Sequence, residues 1–241
     1  MSNKLFFTLL GLALASFFGW MAYDAWTTSS ELKGDVAHQG LLMDSGGSMA
    51  GIQYDFRMSD PQYHHDLSTA QIEQLSQTVG SGEKYHVYGL TQADYETETK
   101  YQVNWSKKWF REEYSLWVEN LRVDFSYNTL NVYVSSAYPE GSCEYQATLE
   151  HENQHVEIHK KIFIRFQKVI RDTLGAAPNL PLSSNPLLVT SIEDGKKKVG
   201  ETISGILDPV FDQFKSTLTE EQAKIDTPES YNELRQRCQH W

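Results

Sequence analysis

The sequence predicts an α+β fold, in which a short antiparallel sheet is followed by a helix carrying an HExxH motif and by further C-terminal helices. Short stretches rich in Tyr, Val and Trp, or alternating between apolar and polar residues, lie between residues 84 and 134, as is typical of strands. Two long helix-favouring runs follow, from Glu144 to Leu174 and from Val199 to Asp226. A group of strands followed by a group of helices is typical of α+β domains.

The N-terminal segment, residues 1–24, has the pattern of a membrane anchor. Lys4 precedes an apolar stretch, Leu5 to Tyr23, which no charged residue interrupts. About 20 apolar residues suffice to cross a bilayer, and a basic residue before them favours keeping the N-terminus in the cytoplasm. A cleaved signal peptide is the alternative, because Ala13-Leu14-Ala15 resembles a cleavage site. Both interpretations place the rest of the chain in the periplasm or outside the cell, either membrane-anchored or secreted.

Residues 25–80 are predicted to be a flexible stalk, and residues 81–241 a single domain. Ser45-Gly46-Gly47-Ser48 is typical of flexible chain, and the residues around it are rich in Ser, Gly and Met. Hydrophobic residues make up 40% of the sequence, which is enough for a real core. The formal net charge of −11 argues against nucleic acid as a partner.

Short strands are predicted before the HExxH helix. Lys84–Leu90 and Tyr101–Trp105 are rich in Tyr, Val and Trp. Leu121–Phe125 and Leu130–Val134 each alternate apolar and polar residues, and the polar run Ser126–Thr129 lies between them. Because alternation with a period of two indicates a strand with one buried face, this second pair is predicted to form an antiparallel hairpin.

The motif His151-Glu152-Asn153-Gln154-His155 lies in the first helix-favouring run. Residues four apart share a helix face, so His151 and His155 can direct imidazole nitrogens at one Zn²⁺. Glu152 can reach a water at the metal and act as a general base, as in a zinc hydrolase. The alternative is a solvated, charged helix face without a metal. Apolar residues at helical spacing are expected to form the buried stripe of this helix: Val156, Phe163, Phe166, Ile170 and Leu174.

Cys143 and Cys238 are the only cysteines of the chain. In an oxidising compartment outside the cytoplasm they are expected to form a disulfide bond, with two free buried thiols as the alternative. The bond would hold the C-terminal segment beside the start of the HExxH helix. In the chain-entropy model, closing a loop of roughly 95 residues stabilises the fold by about 4–5 kcal/mol.

Two short runs carry a resemblance to a known family. Gly141-Ser142-Cys143-Glu144-Tyr145, leading into the HExxH motif, is the first, and Gln222-Ala223-Lys224-Ile225-Asp226-Thr227-Pro228-Glu229-Ser230-Tyr231, followed by Cys238, is the second. Together they resemble a bacterial family of secreted proteins described as zinc-dependent proteases, over residues 100 to 241. The resemblance implies an exported, zincin-like domain with strands before the HExxH helix, and it implies no particular substrate.

A zinc hydrolase of this kind needs a third protein ligand. His159 lies four residues beyond the motif, but on an unbroken helix its Cα atom is about 12 Å from that of His151, too far to share one metal. His159 is therefore expected to be solvated or to support a ligand. The resembling C-terminal run centres on Asp226, which is the predicted third ligand, with Glu221, Glu229 and His159 as alternatives. Asp226 could instead cap the final helix.

Two functions of different classes fit these features. The first is a membrane-anchored, extracytoplasmic zinc metallopeptidase that acts on a peptide or protein substrate, with Glu152 as the general base for a zinc-bound water. The second is a non-catalytic envelope scaffold, in which the helix keeps the HExxH pattern but binds a protein partner. Bound zinc distinguishes the two, because only the first function requires it.

Overall fold

The computed structural model describes residues 51–79, 88–239 and 241. Five strands form one sheet: β1 (Ile52–Met58), β2 (Gln62–His64), β3 (Gly89–Lys107), β4 (Tyr114–Val134) and β5 (Leu187–Val189). The described ranges also contain four helices: α1 (Thr69–Val79), α2 (Cys143–Gly175), α3 (Ile192–Ala223) and α4 (Pro228–Gln236). The predicted α+β class is confirmed.

Strand β4 is the centre of the sheet, and every other described strand pairs with it. β3 runs antiparallel to β4 along one side. Along the other side, β5 pairs antiparallel with β4, and then β1 and β2 pair parallel with it. The expectation of a short antiparallel sheet is therefore wrong, since the sheet is mixed. At 21 residues, β4 is long enough to pair with three short strands in succession.

The predicted hairpin between Leu121–Phe125 and Leu130–Val134 is also wrong, because both segments belong to the continuous strand β4. The polar run between them contains a β-bulge rather than a turn. The register shifts between Asp94 and Tyr95 of β3, which leaves Asn128 of β4 without a partner in the ladder. A bulge absorbs one extra residue without reversing the chain, so the strand continues through polar residues.

The hairpin of this sheet joins β3 to β4 through a turn at residues 108–113. Strand β3 contains the predicted strand Tyr101–Trp105 and the last residues of Lys84–Leu90, of which residues 84–87 lie outside the described ranges. The polar residues between those two predicted segments belong to the same strand. Many side chains of β3 are exposed or half-buried, so polar residues fit it without cost.

The predicted stalk is wrong from residue 51 onward, because β1, β2 and α1 belong to the folded domain. Ile52, Tyr54, Phe56 and Met58 alternate with polar residues and pack against the main core, as a strand at a sheet edge requires. Residues 25–50 and the proposed anchor or signal segment, residues 1–24, lie outside the described ranges. None of the described helices is long and apolar enough to span a bilayer.

Helices α2 and α3 cover one face of β4 and form the core with it. The predicted helix from Glu144 to Leu174 is confirmed, and its five predicted stripe residues are all buried. Phe125 of β4 lies between the helices, with its ring centroid 4.7 Å from that of Phe163 on α2 and 4.9 Å from that of Phe214 on α3. Burying each such ring stabilises the fold by roughly 1.5–3 kcal/mol, so this packing fixes α2 against the sheet.

The C-terminal segment is fastened to the start of α2. The predicted disulfide bond between Cys143 and Cys238 is confirmed, with Cα atoms 5.7 Å apart. Helix α4 begins with Thr227 as N-cap and Pro228 in the first turn. The short connection between α3 and α4 is therefore held beside the first turns of α2, where the HExxH motif lies.

Candidate metal centre

Helix α2 brings both histidines of the HExxH motif to one buried face. The Ser142 side chain caps the helix by accepting a hydrogen bond from the backbone N–H of Tyr145, and the helix then runs unbroken to Gly175. His151 and His155 are thus about one turn apart on the same side. Both rings are buried, and their Nε2 atoms lie 3.3 Å apart. The two nitrogens converge on one point.

Asp226 faces these histidines from the connection between α3 and α4. Its Oδ1 atom lies 3.2 Å from Nε2 of His151 and 3.0 Å from Nε2 of His155. The Tyr231 hydroxyl on α4 donates a hydrogen bond to the same oxygen at 3.0 Å. The capping role considered for Asp226 belongs to Thr227, whose side chain accepts the backbone N–H three residues on. The structure thus brings the three predicted ligands together.

The spacing of the three atoms fits a metal ion. They form a triangle with edges of 3.0–3.3 Å, and ligands about 2.0–2.1 Å from a tetrahedral zinc would lie roughly 3.3–3.4 Å from one another. Two imidazoles and one carboxylate are also a ligand set that zinc accepts. The side chain of Asp226 is 37% exposed, so the centre is open to solvent on that side. The group could therefore hold a metal ion with a further position left for water or substrate.

The hydrogen bonds and pKa shifts of His155 and Asp226 also support a cation-binding site. The amide oxygen of Gln222 can only accept, so Nδ1 of His155 carries a proton. In the protonated ring, Nε2–H donates to Asp226, and loss of that proton leaves a lone pair on Nε2 for a metal ion. Burial lowers the pKa of His155, but the hydrogen bond with Asp226 and the charge of Glu152 outweigh it and raise that pKa to about 9. Burial also opposes ionisation of Asp226, yet hydrogen bonds from both histidines lower its pKa well below the usual range. This cluster of electron pairs attracts a cation, either a proton or a metal ion.

Glu152, the predicted general base, belongs to α2, and its side chain is buried against the first residues of β3. The Thr91 hydroxyl lies 2.8 Å from Oε2 of the Glu152 carboxylate and 3.1 Å from the backbone oxygen of Glu152, and its single proton can be donated to either. Gly89 leaves the space that the carboxylate occupies, because a Cβ atom there would lie 2.7 Å from Glu152 Oε1. Burial raises the pKa of Glu152, while the nearby histidines and Thr91 lower it by a smaller amount. A carboxylate with a raised pKa is a stronger base than one in water.

Gln222, Thr91 and Gly89 are site residues that the sequence did not indicate. Gln222 lies one helical turn before Asp226, and its amide fixes the tautomer that leaves His155 Nε2 free to bind a metal. A search for polar side chains one turn from a candidate ligand would have found it. Thr91 and Gly89 come from β3, about 60 residues away from Glu152, and no local pattern connects a strand to a helix at that separation.

His159 is neither a ligand nor solvated. It is buried, and its Nδ1 lies 3.1 Å from the Tyr127 hydroxyl of β4. Burial lowers its pKa to about 4, with a smaller contribution from His155, so the ring is neutral and accepts the hydrogen bond from Tyr127. The expectation of a side chain that is solvated or supports a ligand is wrong. One further turn along α2 the same helix face enters the core under the sheet, and the hydrogen-bond partner of His159 there is Tyr127 rather than a candidate ligand.

The remaining alternative ligands lie away from the centre. Glu221 is paired with Lys224 on the surface of α3, and Glu229 is an exposed residue in the first turn of α4. Among the described residues, the only group of three or more His, Cys, Asp or Glu side chains with metal-binding spacing is that of His151, His155 and Asp226.

A comparison of the chain with family models, curated proteins and solved structures returned no match. The resemblance to secreted zinc-dependent proteases therefore stays a prediction.

Proposed function

We propose that the chain is a membrane-anchored, extracytoplasmic zinc metallopeptidase. One observation carries the proposal: His151, His155 and Asp226 place three ligand atoms within 3.0–3.3 Å of one another beside the buried carboxylate of Glu152. The first three side chains would hold the metal, and the fourth would handle protons. A metal centre with an open position and an adjacent carboxylate is the arrangement that zinc-dependent peptide hydrolysis uses.

Each residue of the site has a role in this reaction. A zinc ion, when bound, supplies a Lewis acid that polarises the peptide carbonyl and makes a water molecule more acidic. Glu152 accepts a proton from the attacking water and delivers it to the leaving amine, so that the carboxylate is regenerated. Thr91 holds the carboxylate of Glu152 in one orientation, and Tyr231 does the same for Asp226.

The compartment is part of the proposal. The apolar stretch Leu5–Tyr23 after Lys4 supports export with retention in the membrane. The disulfide bond between Cys143 and Cys238 supports an oxidising compartment, since such bonds are rare in reducing cytoplasm. Its position supports the proposed site as well, because it fastens the segment that carries Asp226 to the helix that carries the histidines.

The metal content of the purified full-length chain tests the proposal. Elemental analysis after mild purification in detergent should find about one zinc per chain, since a preformed site of this kind binds zinc tightly. Asp226→Ala and His155→Ala should each lose most of that zinc. Glu229→Ala removes an exposed acid three residues from Asp226 and should keep the full amount, which makes it the matched control.

Two results would contradict the proposal. Zinc absent from the parent chain would favour the non-catalytic scaffold, in which the HExxH pattern binds no metal. Zinc retained in full by both Asp226→Ala and His155→Ala would mean that the ion is held elsewhere. Hydrolysis of a mixed peptide library, lost on treatment with a chelator and restored by zinc, is the accompanying test of activity.

A further inference from the structure

The turn between β3 and β4 carries two aromatic side chains that are almost completely exposed. Trp109 and Phe110 are 95% and 96% exposed, more than any other large hydrophobic side chain in the described ranges. Hydrogen bonds fix the turn: the backbone N–H of Lys108 donates to the carbonyl of Glu113 at 3.0 Å, and that of Arg111 to the carbonyl of Lys108 at 3.3 Å. A defined turn therefore presents an aromatic pair to the surroundings, which indicates an interaction site.

The turn that carries this aromatic pair has a small excess of positive charge. Residues 107–113 contain three basic residues and two glutamates, a local net charge of +1 in a chain whose formal net charge is −11. Glu113 lies 3.8 Å from both Lys108 and Arg111, which are half to three-quarters exposed and can still contact an anionic surface. Behind the turn, the half-exposed Trp105 packs against Tyr114, with ring centroids 5.7 Å apart. Exposed Trp and Phe flanked by Lys and Arg are the composition that proteins place at the interface of an anionic bilayer.

The direction of β1 relates the turn to the N-terminal part of the chain. β1 begins at Ile52, opposite Leu121, and runs parallel to β4, away from the turn. The chain before β1 therefore enters the sheet from the end nearer the turn. That part includes the apolar stretch Leu5–Tyr23, and 28 residues separate Tyr23 from Ile52, a length that would span up to about 90 Å if fully extended.

We propose that the β3–β4 turn, residues 107–114, is a membrane-docking surface that places Trp109 and Phe110 in the interface of an anionic phospholipid bilayer. The basic side chains attract the lipid phosphates, and the two rings enter the boundary between headgroups and acyl chains. The inference rests on the proposed membrane attachment of the chain and is independent of the proposed hydrolysis.

Docking through this turn would set the distance of the candidate metal centre from the membrane. Thr91, which contacts Glu152, lies near the opposite end of β3 from Lys107. Thr91 and Lys107 are 16 positions apart, which at about 3.3 Å per residue corresponds to roughly 50 Å along the strand. The centre would therefore face away from the bilayer, toward water-soluble peptides or proteins rather than membrane-embedded segments.

The test uses the full-length chain reconstituted into phosphatidylcholine vesicles, with and without phosphatidylglycerol. Glu112→Cys in the turn is labelled with an environment-sensitive fluorophore, because both native cysteines are in the disulfide bond and do not react. Ile164→Cys on α2, where the native side chain is 65% exposed, is the matched control. Nitroxide-labelled lipids in the vesicles quench only fluorophores that reach the bilayer.

The label at position 112 should be quenched several-fold more strongly than the label at 164, and more strongly with phosphatidylglycerol than without it. Adding Trp109→Ser and Phe110→Ser to the Glu112→Cys chain should reduce its quenching to the level of the control. Zinc content and disulfide formation should be unchanged, which shows that these variants fold. Equal quenching at 112 and 164 in the parent would overturn the proposal. Shielding of position 112 by added envelope protein, without lipid quenching, would also overturn it and assign the turn to a protein partner.

Discussion

The Thr91 hydroxyl lies 2.8 Å from the Glu152 carboxylate, and this contact joins the first residues of β3 to the HExxH helix. Glu152 is buried, and burial raises its pKa by disfavouring the ionised form. A hydrogen bond donated to the carboxylate favours that form and also fixes the direction of its lone pairs. Thr91 is therefore a positioning residue for the proposed general base.

Thr91→Val removes this hydrogen bond while keeping the shape of the side chain. Without it, the pKa of Glu152 should rise further, so the acid limb of the pH–rate profile should move to higher pH. Loss of a hydrogen bond to a charged group costs about 1.5–3 kcal/mol, which predicts a kcat at least roughly tenfold lower at neutral pH. Thr97→Val, at an exposed position of the same strand, is the control. Zinc content should be the same in parent and both variants, and an unchanged pH profile in Thr91→Val would contradict this role.

Gly89 makes room for the same carboxylate. A Cβ atom at this position would lie 2.6 Å from Cγ2 of Thr148 and 2.7 Å from Oε1 of Glu152. Gly89→Ala should therefore displace the Glu152 side chain, reduce kcat and destabilise the fold by about 1–3 kcal/mol, as overpacking does. Gly205→Ala on α3 is the contrasting variant, since nothing lies within 4 Å of the added atom.

For both glycine variants, chemical denaturation measures the free energy of unfolding and steady-state kinetics measure kcat. Gly205→Ala should keep full activity and raise the free energy of unfolding by up to about 1 kcal/mol, because alanine is favoured within a helix. If Gly89→Ala were as active and as stable as the parent, β3 would not pack against Glu152 as closely as the distances here require.

The sequence predicts the helical half of this fold well and the sheet poorly. On β4, the buried apolar residues occupy even positions at Leu116 and Val118, odd positions from Leu121 to Tyr127, and even positions again from Leu130 to Val134. The buried residues change between even and odd positions at the two places where the pairing register with β3 shifts. Such a change of phase without Gly or Pro indicates a bulge, whereas a tight hairpin turn usually needs residues that adopt positive φ.

The candidate site likewise contains residues that the sequence predicts and residues that it does not. The helical spacing of four connects His151 with His155, so the sequence alone predicts their convergence. Asp226 is more than 70 residues away, and only the resemblance of its flanking run singled it out. Thr91 belongs to a strand whose contact with α2 depends on the whole sheet, and no local signal predicts that contact.

His159 provides a test of the buried core behind the site. Its pKa is lowered from 6.5 to about 4, mainly by burial, so the unfolded chain binds a proton from pH 6.5 downward while the folded chain does not. The part of the stability that depends on a neutral His159 is therefore fully present above pH 6.5. It should be lost as the pH falls from 6.5 to 4. The loss should reach roughly 3 kcal/mol, from about 1.4 kcal/mol for each unit of difference in pKa.

The measurement compares the parent with His159→Gln, which keeps an acceptor for the Tyr127 hydroxyl but does not titrate in this range. Urea denaturation at several pH values, with a chelator present so that metal release does not contribute, gives the free energy of unfolding of each protein. The variant should be less stable at pH 7 and should show a smaller decrease between pH 6.5 and 4. Parallel curves for the two proteins would mean that His159 is not held neutral in the core.

In the proposed function, Glu152 transfers protons beside a metal held by His151, His155 and Asp226. Peptide cleavage by Glu152→Gln, measured together with its zinc content, tests this role of Glu152. Glutamine keeps the size of the side chain but cannot accept the proton, and general-base catalysis contributes about 10²–10⁴-fold in rate. The variant should bind about one zinc per chain, like the parent, and cleave at least roughly a hundredfold more slowly. Equal rates for a cleaving parent and a zinc-loaded Glu152→Gln would contradict this role.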